Sequence, residues 1–141
     1  AVGLGSDSMA SNNRMDLLAE SRAAMLAQGA RSGRHDTLSA GAALRLATMG
    51  GARALGLDAD IGSLEVGKAA DLAAFPIIAE GGPVHDPTEA AVLALPGTAA
   101  CLVTVAGREL VRDSRLVSWD AGLPARLERT AEQVRAWALA E

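Results

Sequence analysis

"GLGSDSMASNN", residues 3–13, decides how this chain is read. An apolar entry (Ala1, Val2, Gly3, Leu4) runs straight into a single carboxylate, Asp7, flanked by the small hydroxyl residues Ser6 and Ser8. The pattern predicts a short buried strand over 1–6, with Asp7 where it ends and a polar loop over 8–13. The carboxy ends of buried strands are where α/β barrels and open sheets place their chemistry. Asp7 is therefore the candidate metal ligand and proton acceptor of the chain. A carboxylate at this point can equally cap the following helix or close a turn on nearby backbone N–H groups. Residue pattern alone leaves both roles open.

Working outward, apolar residues at helical spacing predict a helix from Met15 to Gln28, with Leu18, Met25 and Leu26 on one face and Gly29 as its stop. Ser39 is placed to cap the next helix, "AGAALRLAT", which meets Gly50-Gly51, resumes as "ARALG" and stops at Gly56. The texture then changes. "IGSLEVGKAADLAAF" alternates glycine turns with short apolar runs and ends in a strand over 71–75. Asp86-Pro87 starts a short helix reaching Leu95. "ACLVTVAGRELVRDSRLV" predicts strands near 100–106 and 108–112 around Gly107, with a third piece at 115–117. An amphipathic helix closes the chain from Pro124 to Ala140, with Leu127, Ala131, Val134 and Ala138 on one face.

At 141 residues with 50% hydrophobic content, the chain is long enough for a packed core. Aromatic residues make up only 2%, so that core is built from Ala, Leu and Val. A net charge of −4 argues against a nucleic-acid footprint, which needs a basic face. The longest apolar run, 90–106, is broken by Pro96-Gly97. A membrane helix needs about 20 predominantly apolar residues, so the run reads as helix, turn and strand. Neither nucleic acid nor membrane is expected as a partner. One cysteine, Cys101, fits a reducing, cytoplasmic compartment and reads as a small core residue. The chain opens in what looks like mid-strand, which predicts that something upstream is missing.

Other chemistries lack their parts. The serines near Asp7 stand in no G-x-S-x-G elbow, and "GLGSDS" lacks dinucleotide-binding spacing. His35 and His85 lie in polar connections, outside any His-x-His or His-x-x-x-His pair. They read as solvated loop histidines in the cap-forming dipeptides His35-Asp36 and His85-Asp86. The charged run in "RLERTAEQVRA" reads as a solvated helix face with i,i+4 pairing. A catalytic zinc needs about three protein ligands and an open position, and this sequence offers one ligand of the right kind.

Two segments together resemble a known family. "GLGSDSMASNNRMDLLAESRAA" resembles the eighth-strand region of the amidohydrolase superfamily, in its deaminase and chlorohydrolase branch. The usual pattern there is Gly-Thr-Asp-(Ser/Gly)-x-x-Ser-Asn followed by a helix. "LRLATMGGARALGLDADIGSLEVGKAADLAAF" resembles that family's next helix, its Gly-Ser-Leu-x-x-Gly-Lys-x-Ala-Asp turn and its return strand. "VTVAGRELVRDSRLV" resembles the last hairpin. Ser6 in place of Thr, Ala106 in place of Asn and Ser114 in place of Gly are departures that bear on turn geometry more than on chemistry.

The resemblance implies an α/β fold: the carboxy-terminal part of a (β/α)8 TIM barrel plus part of a small β-sandwich. Residues 1–57 would hold the last barrel strand and following helices, 58–118 part of the sandwich with an intervening short helix, and 119–141 a carboxy-terminal helix. It implies that Asp7 is both metal ligand and catalytic carboxylate, shuttling the proton of the attacking water to a leaving amine. The metal would be zinc, or alternatively iron, with its histidine ligands supplied from outside this chain. The substrate would be a small heterocycle, a cyclic amidine or aminopurine-like ring, deaminated by a metal-activated water. Partners would be the missing amino-terminal barrel portion or further copies of the chain, in a homo-oligomer. The alternative is a non-catalytic structural or assembly module, or a remnant of an amidohydrolase. On the enzymatic reading the isolated chain is inactive and holds no catalytic zinc. Equilibrium dialysis should recover no stoichiometric zinc, and stoichiometric metal with hydrolytic turnover would overturn that reading.

Overall fold

The computed structural model describes residues 1–77 and 84–139. Six α-helices are formed among them: α1 (Met9–Asn12), α2 (Leu17–Ser32), α3 (Ala40–Arg45), α4 (Gly51–Leu55), α5 (Pro87–Leu93) and α6 (Leu123–Ala138). Four strands, β1 (Leu72–Ala74), β2 (Leu102–Val105), β3 (Arg108–Arg112) and β4 (Arg115–Leu116), make one antiparallel sheet in chain order.

Side-chain caps set the helix starts. The Asp16 carboxylate accepts from the N–H groups of Leu18 (3.0 Å) and Ala19 (3.1 Å), opening α2. Ser39 accepts from Ala42 (3.2 Å) to open α3, and Asp86 accepts from Thr88 (2.7 Å) and Glu89 (3.1 Å) to open α5, with Pro87 in the first turn. The helix expected to stop at Gly29 runs on to Ser32 and stops at Gly33, in the left-handed region at φ 68°. A glycine inside a helix costs only about 1 kcal/mol, and here it gives clearance. A Cβ on Gly29 would stand 3.3 Å from the Arg34 carbonyl oxygen of the returning loop. The inward face of α2 holds Leu18, Ser21, Ala24 and Met25, whereas Leu26 is 64% exposed. One residue on from Met25 is a rotation of about 100°, enough to leave the buried face.

The helical core forms where α2, α3 and α5 pack against one another. Its buried residues are Ala40, Ala43, Ala52, Val92 and Leu95, with Ser21, whose hydroxyl donates to the Leu17 carbonyl (2.7 Å). Small side chains let these helices approach closely, as the aromatic-poor composition predicts. Between α3 and α4 the helix widens into a π turn, Leu46–Gly50, and Gly56 ends α4 at φ 71°.

The sheet pairs Leu72 with Thr104, Val103 with Val111 and Val111 with Leu116. Both of its tight turns place two residues in the left-handed region: Ala106 and Gly107 (φ 49° and 74°), then Asp113 and Ser114 (φ 51° and 59°). Such turns match the natural twist of paired strands. The Asp71 carboxylate accepts the Ala106 N–H (2.7 Å), and the Thr104 hydroxyl donates to the Ala70 carbonyl (2.6 Å), tying the entry of β1 to the first turn.

Lys68 organises the loop that leads into the sheet. Its ammonium, on a side chain only 11% exposed, donates to the Asp58 carbonyl (2.6 Å) and the Ser63 hydroxyl (2.7 Å) and faces Glu65 at 3.6 Å. The Ser63 hydroxyl also bonds Glu65; that bond, and then the Lys68 charge, hold the Glu65 carboxyl below its usual range. Gly62 closes the loop on the helix, where a Cβ would stand 2.8 Å from Ala52 Cβ and 2.9 Å from Met49 Sδ.

Several expectations are corrected. Residues 1–6 form no strand ladder within the described chain, and Val2 is 72% exposed. A strand needs a neighbour, and this segment is instead tied by a bond from the Leu4 N–H to the Leu46 carbonyl of the π turn (3.0 Å). The polar loop over 8–13 contains the helical turn α1. Asp36 caps nothing; Arg34 grips it through two bonds (3.0 and 2.8 Å) while Ser39 does the capping. Cys101 is half-buried beside β1, its thiol 3.3 Å from the Ala74 carbonyl. Arg126 of α6 pairs with Asp120, which lies ahead of the helix, and no i,i+4 ion pair forms within α6 among the described residues. Glu132 stands three residues from both Arg129 and Arg135, and four from the like-charged Glu128. The expected end of that helix at Ala140 lies outside the described residues.

Leu127 and Val134 of α6 are exposed, and the helix packs against none of the other described elements. The accessible surface is 10247 Å² for a 14.3 kDa chain. A compact monomer of that mass exposes about 6,800 Å². No helix among the described residues is long and apolar enough to cross a membrane.

Because the Lys68 ammonium makes charge-assisted bonds to both the Asp58 carbonyl and the Ser63 hydroxyl, Lys68→Ala should lower unfolding stability by about 2 kcal/mol. Urea denaturation checks this; an unchanged midpoint would show that the loop holds without the ammonium.

Candidate functional site

Residues 1–6 reach their position over the π turn by backbone contact. A Cβ on Gly3 would stand 2.5 Å from Gly51 Cα, and one on Gly50 would stand 2.6 Å from the Val2 carbonyl oxygen. Both positions require glycine because no side chain fits between the crossing backbones. A π turn shifts carbonyls away from their ordinary partners along the helix, and the Leu46 carbonyl here accepts from Leu4.

Asp7 follows, exposed, with its backbone in the left-handed region at φ 58°. That conformation is unusual for a residue with a Cβ, though Asp tolerates it better than most. The carboxylate Oδ1 accepts the Ser8 N–H (2.7 Å), and the Ser6 hydroxyl donates to the Asp7 carbonyl (3.3 Å). Ser8 and Ser11 share a hydroxyl contact (3.1 Å), and Asn13 ends α1 in a second left-handed turn at φ 58°. Asp7 thus bonds its immediate neighbour and caps no helix: Ser8 stands at the α1 cap position without a side-chain bond to a backbone N–H, and Asp16 caps α2. Its second carboxylate oxygen meets no donor among the described residues.

Asp7 can supply one metal ligand and one proton acceptor, which is not a complete metal centre. No group of three His, Cys, Asp or Glu side chains converges among the described residues. His35 and His85 are exposed in loops, as the sequence predicts. His35 lines a groove with Arg22, Met25 and Leu93, away from Asp7. Among the described residues, then, Asp7 stands alone as a candidate ligand and no complete metal centre is assembled.

Residues 1–109 match the family model described as the amidohydrolase family. The chain belongs to that family. A 5-methylthioadenosine/S-adenosylhomocysteine deaminase of Teredinibacter turnerae is 39% identical over 118 residues, covering 83% of this chain and 27% of the relative. One from Desulforudis audaxviator is 37% identical, covering 94% of this chain and 31% of the relative. Among solved structures, a zinc-bound adenosine deaminase from Xanthomonas campestris superposes with a TM-score of 0.88 at 35% identity, over 95% of this chain and 31% of that one. A zinc complex of atrazine chlorohydrolase from Arthrobacter aurescens gives a TM-score of 0.73 at 37% identity, over 96% and 29%. The chain spans less than a third of the length of these amidohydrolases.

Sequence reasoning passed over several residues that hold the site together. Asp16, one residue before an apolar helical run, carries a legible cap signal. Its second carboxylate oxygen also accepts the Gly97 N–H (2.7 Å) from the turn after α5, a contact that spans the sequence and has no local signature. The Asn12 amide donates to the Ser6 carbonyl (2.9 Å) and to Glu20 (2.5 Å), likewise beyond local pattern.

The crossing at Gly50 yields a paired test. Gly50→Ala should destabilise the chain by about 1–3 kcal/mol through overpacking against Val2. Gly51→Ala points its Cβ into open space and should be neutral or stabilising by about 0.5–1 kcal/mol, since Ala is the better helix former. Equal effects of the two in thermal melts would show that the segment crosses elsewhere.

Proposed function

We propose that this chain is the Asp7-bearing portion of a (β/α)8 hydrolase that deaminates a small adenosine-like nucleoside or related aminated heterocycle. The observation that carries this reading is the placement of Asp7. It is the carboxylate at the end of a glycine-rich segment, exposed, held in the left-handed region, with one oxygen engaged and one open. The relatives named as 5-methylthioadenosine/S-adenosylhomocysteine deaminases suggest the substrate class, and the zinc-bound structures suggest zinc.

On this reading Asp7, together with ligands from outside the chain, would hold a divalent metal, which would supply Lewis-acid activation of water. Asp7 contributes proton transfer. Its carboxylate accepts a proton from the attacking water and returns it to the departing amine, which leaves as ammonia while the ring gains an oxygen. The small neighbours Ser6 and Ser8 leave room for a planar ring to approach. The large accessible surface and the exposed apolar residues of the segment support a chain that packs against further structure, the rest of the barrel or a second copy. The isolated chain is inactive on this reading, because it brings one metal-binding carboxylate where about three protein ligands are needed.

The test is Asp7→Asn in the assembled barrel, with 5-methylthioadenosine and S-adenosylhomocysteine as substrates and ammonia release as readout. Loss of one positioned proton acceptor should lower kcat about 100- to 10,000-fold, without loss of the folded state by circular dichroism. Turnover at the unsubstituted rate would overturn the role of Asp7.

A further inference from the structure

We propose that Asn12, oriented by Glu20, is the positioning residue that sets the angle at which Asp7 presents its carboxylate; this rests on the reading of Asp7 given above. The backbone angle φ of Asp7 is rotation about its own N–Cα bond, so it depends on where the Ser6–Asp7 peptide plane is held. The carbonyl of that plane is the Ser6 oxygen, and Asn12 donates to it at 2.9 Å. With φ at 58°, Asp7 occupies a region that is unfavourable for a residue with a Cβ even though Asp tolerates it better than most, so contacts that fix the preceding peptide plane help to hold it there. The Asn12 bond is the side-chain restraint on that plane from beyond the immediate neighbours of Asp7.

The amide of Asn12 is itself held in one orientation. Its two partners, the Ser6 carbonyl and the Glu20 carboxylate (2.5 Å), are both acceptors. Only the –NH2 end can serve both, so a flipped amide would set oxygen against two oxygens. Glu20 stands in the first turn of α2, one turn from the Asp16 cap. Asp16 is anchored on its other side by the Gly97 N–H. A continuous path of hydrogen bonds and one rigid helix therefore runs from the turn after α5 to the peptide preceding Asp7. Ser8 N–H and Ser6 Oγ hold Asp7 only through its own neighbours, which move with the loop. Asn12 and Glu20 refer the loop to a helix packed in the core.

The test measures deaminase kinetics in the assembled barrel for Asn12→Ala, Glu20→Ala, the double variant, Glu20→Gln and Asp7→Asn. Misplacing a reacting group by about 1 Å costs up to about 100-fold. Asn12→Ala and Glu20→Ala should each lower kcat by about 10- to 100-fold while KM stays within about threefold, since substrate binding is not the interaction removed. Glu20→Gln keeps an acceptor oxygen and should recover most of what Glu20→Ala loses. The double variant should be no worse than the poorer single one, because both remove the same restraint. Additive losses, or melting temperatures that fall while specific activity holds, would overturn positioning in favour of a structural role. Unsubstituted rates in Asn12→Ala and Glu20→Ala, with Asp7→Asn inactive, would sink the proposal and leave the Asp7 reading standing. An active Asp7→Asn would sink the Asp7 reading and this proposal together. Should Asn12→Ala fail to fold, Glu20→Ala decides: a kcat loss recovered by Glu20→Gln supports the proposal, and an unchanged kcat overturns it.

Discussion

The contact on which the rest of the arrangement depends is the crossing of two backbones at glycine. Gly3 lies on Gly51, and Gly50 lies under Val2, with no room for a Cβ at either Gly3 or Gly50. The crossing works because the helix beneath opens into a π turn whose Leu46 carbonyl takes the Leu4 N–H. The loop that carries Asp7 starts from this contact. Asp7 comes only four residues after Gly3, and α2 begins soon after. Moving the crossing would move the carboxylate.

A second set of polar anchors joins parts that the helical core does not reach. Lys68 gathers the carbonyl and hydroxyl oxygens of the 57–69 loop, Asp71 takes the Ala106 N–H, and Asp16 takes that of Gly97. These residues give the Gly-Lys-x-Ala-Asp segment a structural explanation, independent of any substrate. The sheet is small and the buried core is built of alanine, valine and leucine. Such a core supplies modest burial, so side-chain bonds to backbone groups carry much of the definition of the loops.

Much of the secondary structure is legible along the chain. The Ser39 and Asp86 caps, the Gly56 stop, the hairpin around Gly107 and the last short strand all follow from local chemistry: a side-chain oxygen near free N–H groups, or a residue suited to positive φ. Where local reading missed, a distant contact or an angular detail decided. Gly29 lies inside a helix, where its missing Cβ leaves room for the returning Arg34 carbonyl, and Gly33 makes the stop. Leu26 faces outward because one step along the helix leaves the buried face. The segment over 1–6 reads as a strand by composition, yet forms no ladder within the described chain.

By itself the sequence determined the family, most of the helices and strands after residue 15 and the identity of the one carboxylate worth testing, because motif spacing, caps and turns are local properties. Only the tertiary structure decided how that carboxylate is presented. It showed Asp7 in a left-handed backbone, Asn12 bonded to both the Ser6 carbonyl and Glu20, and Asp16 anchored to Gly97 from a distant turn. A hydrogen bond between residues far apart in sequence leaves no periodicity to read. It exists only once the helices have packed and brought its donor and acceptor within 3 Å.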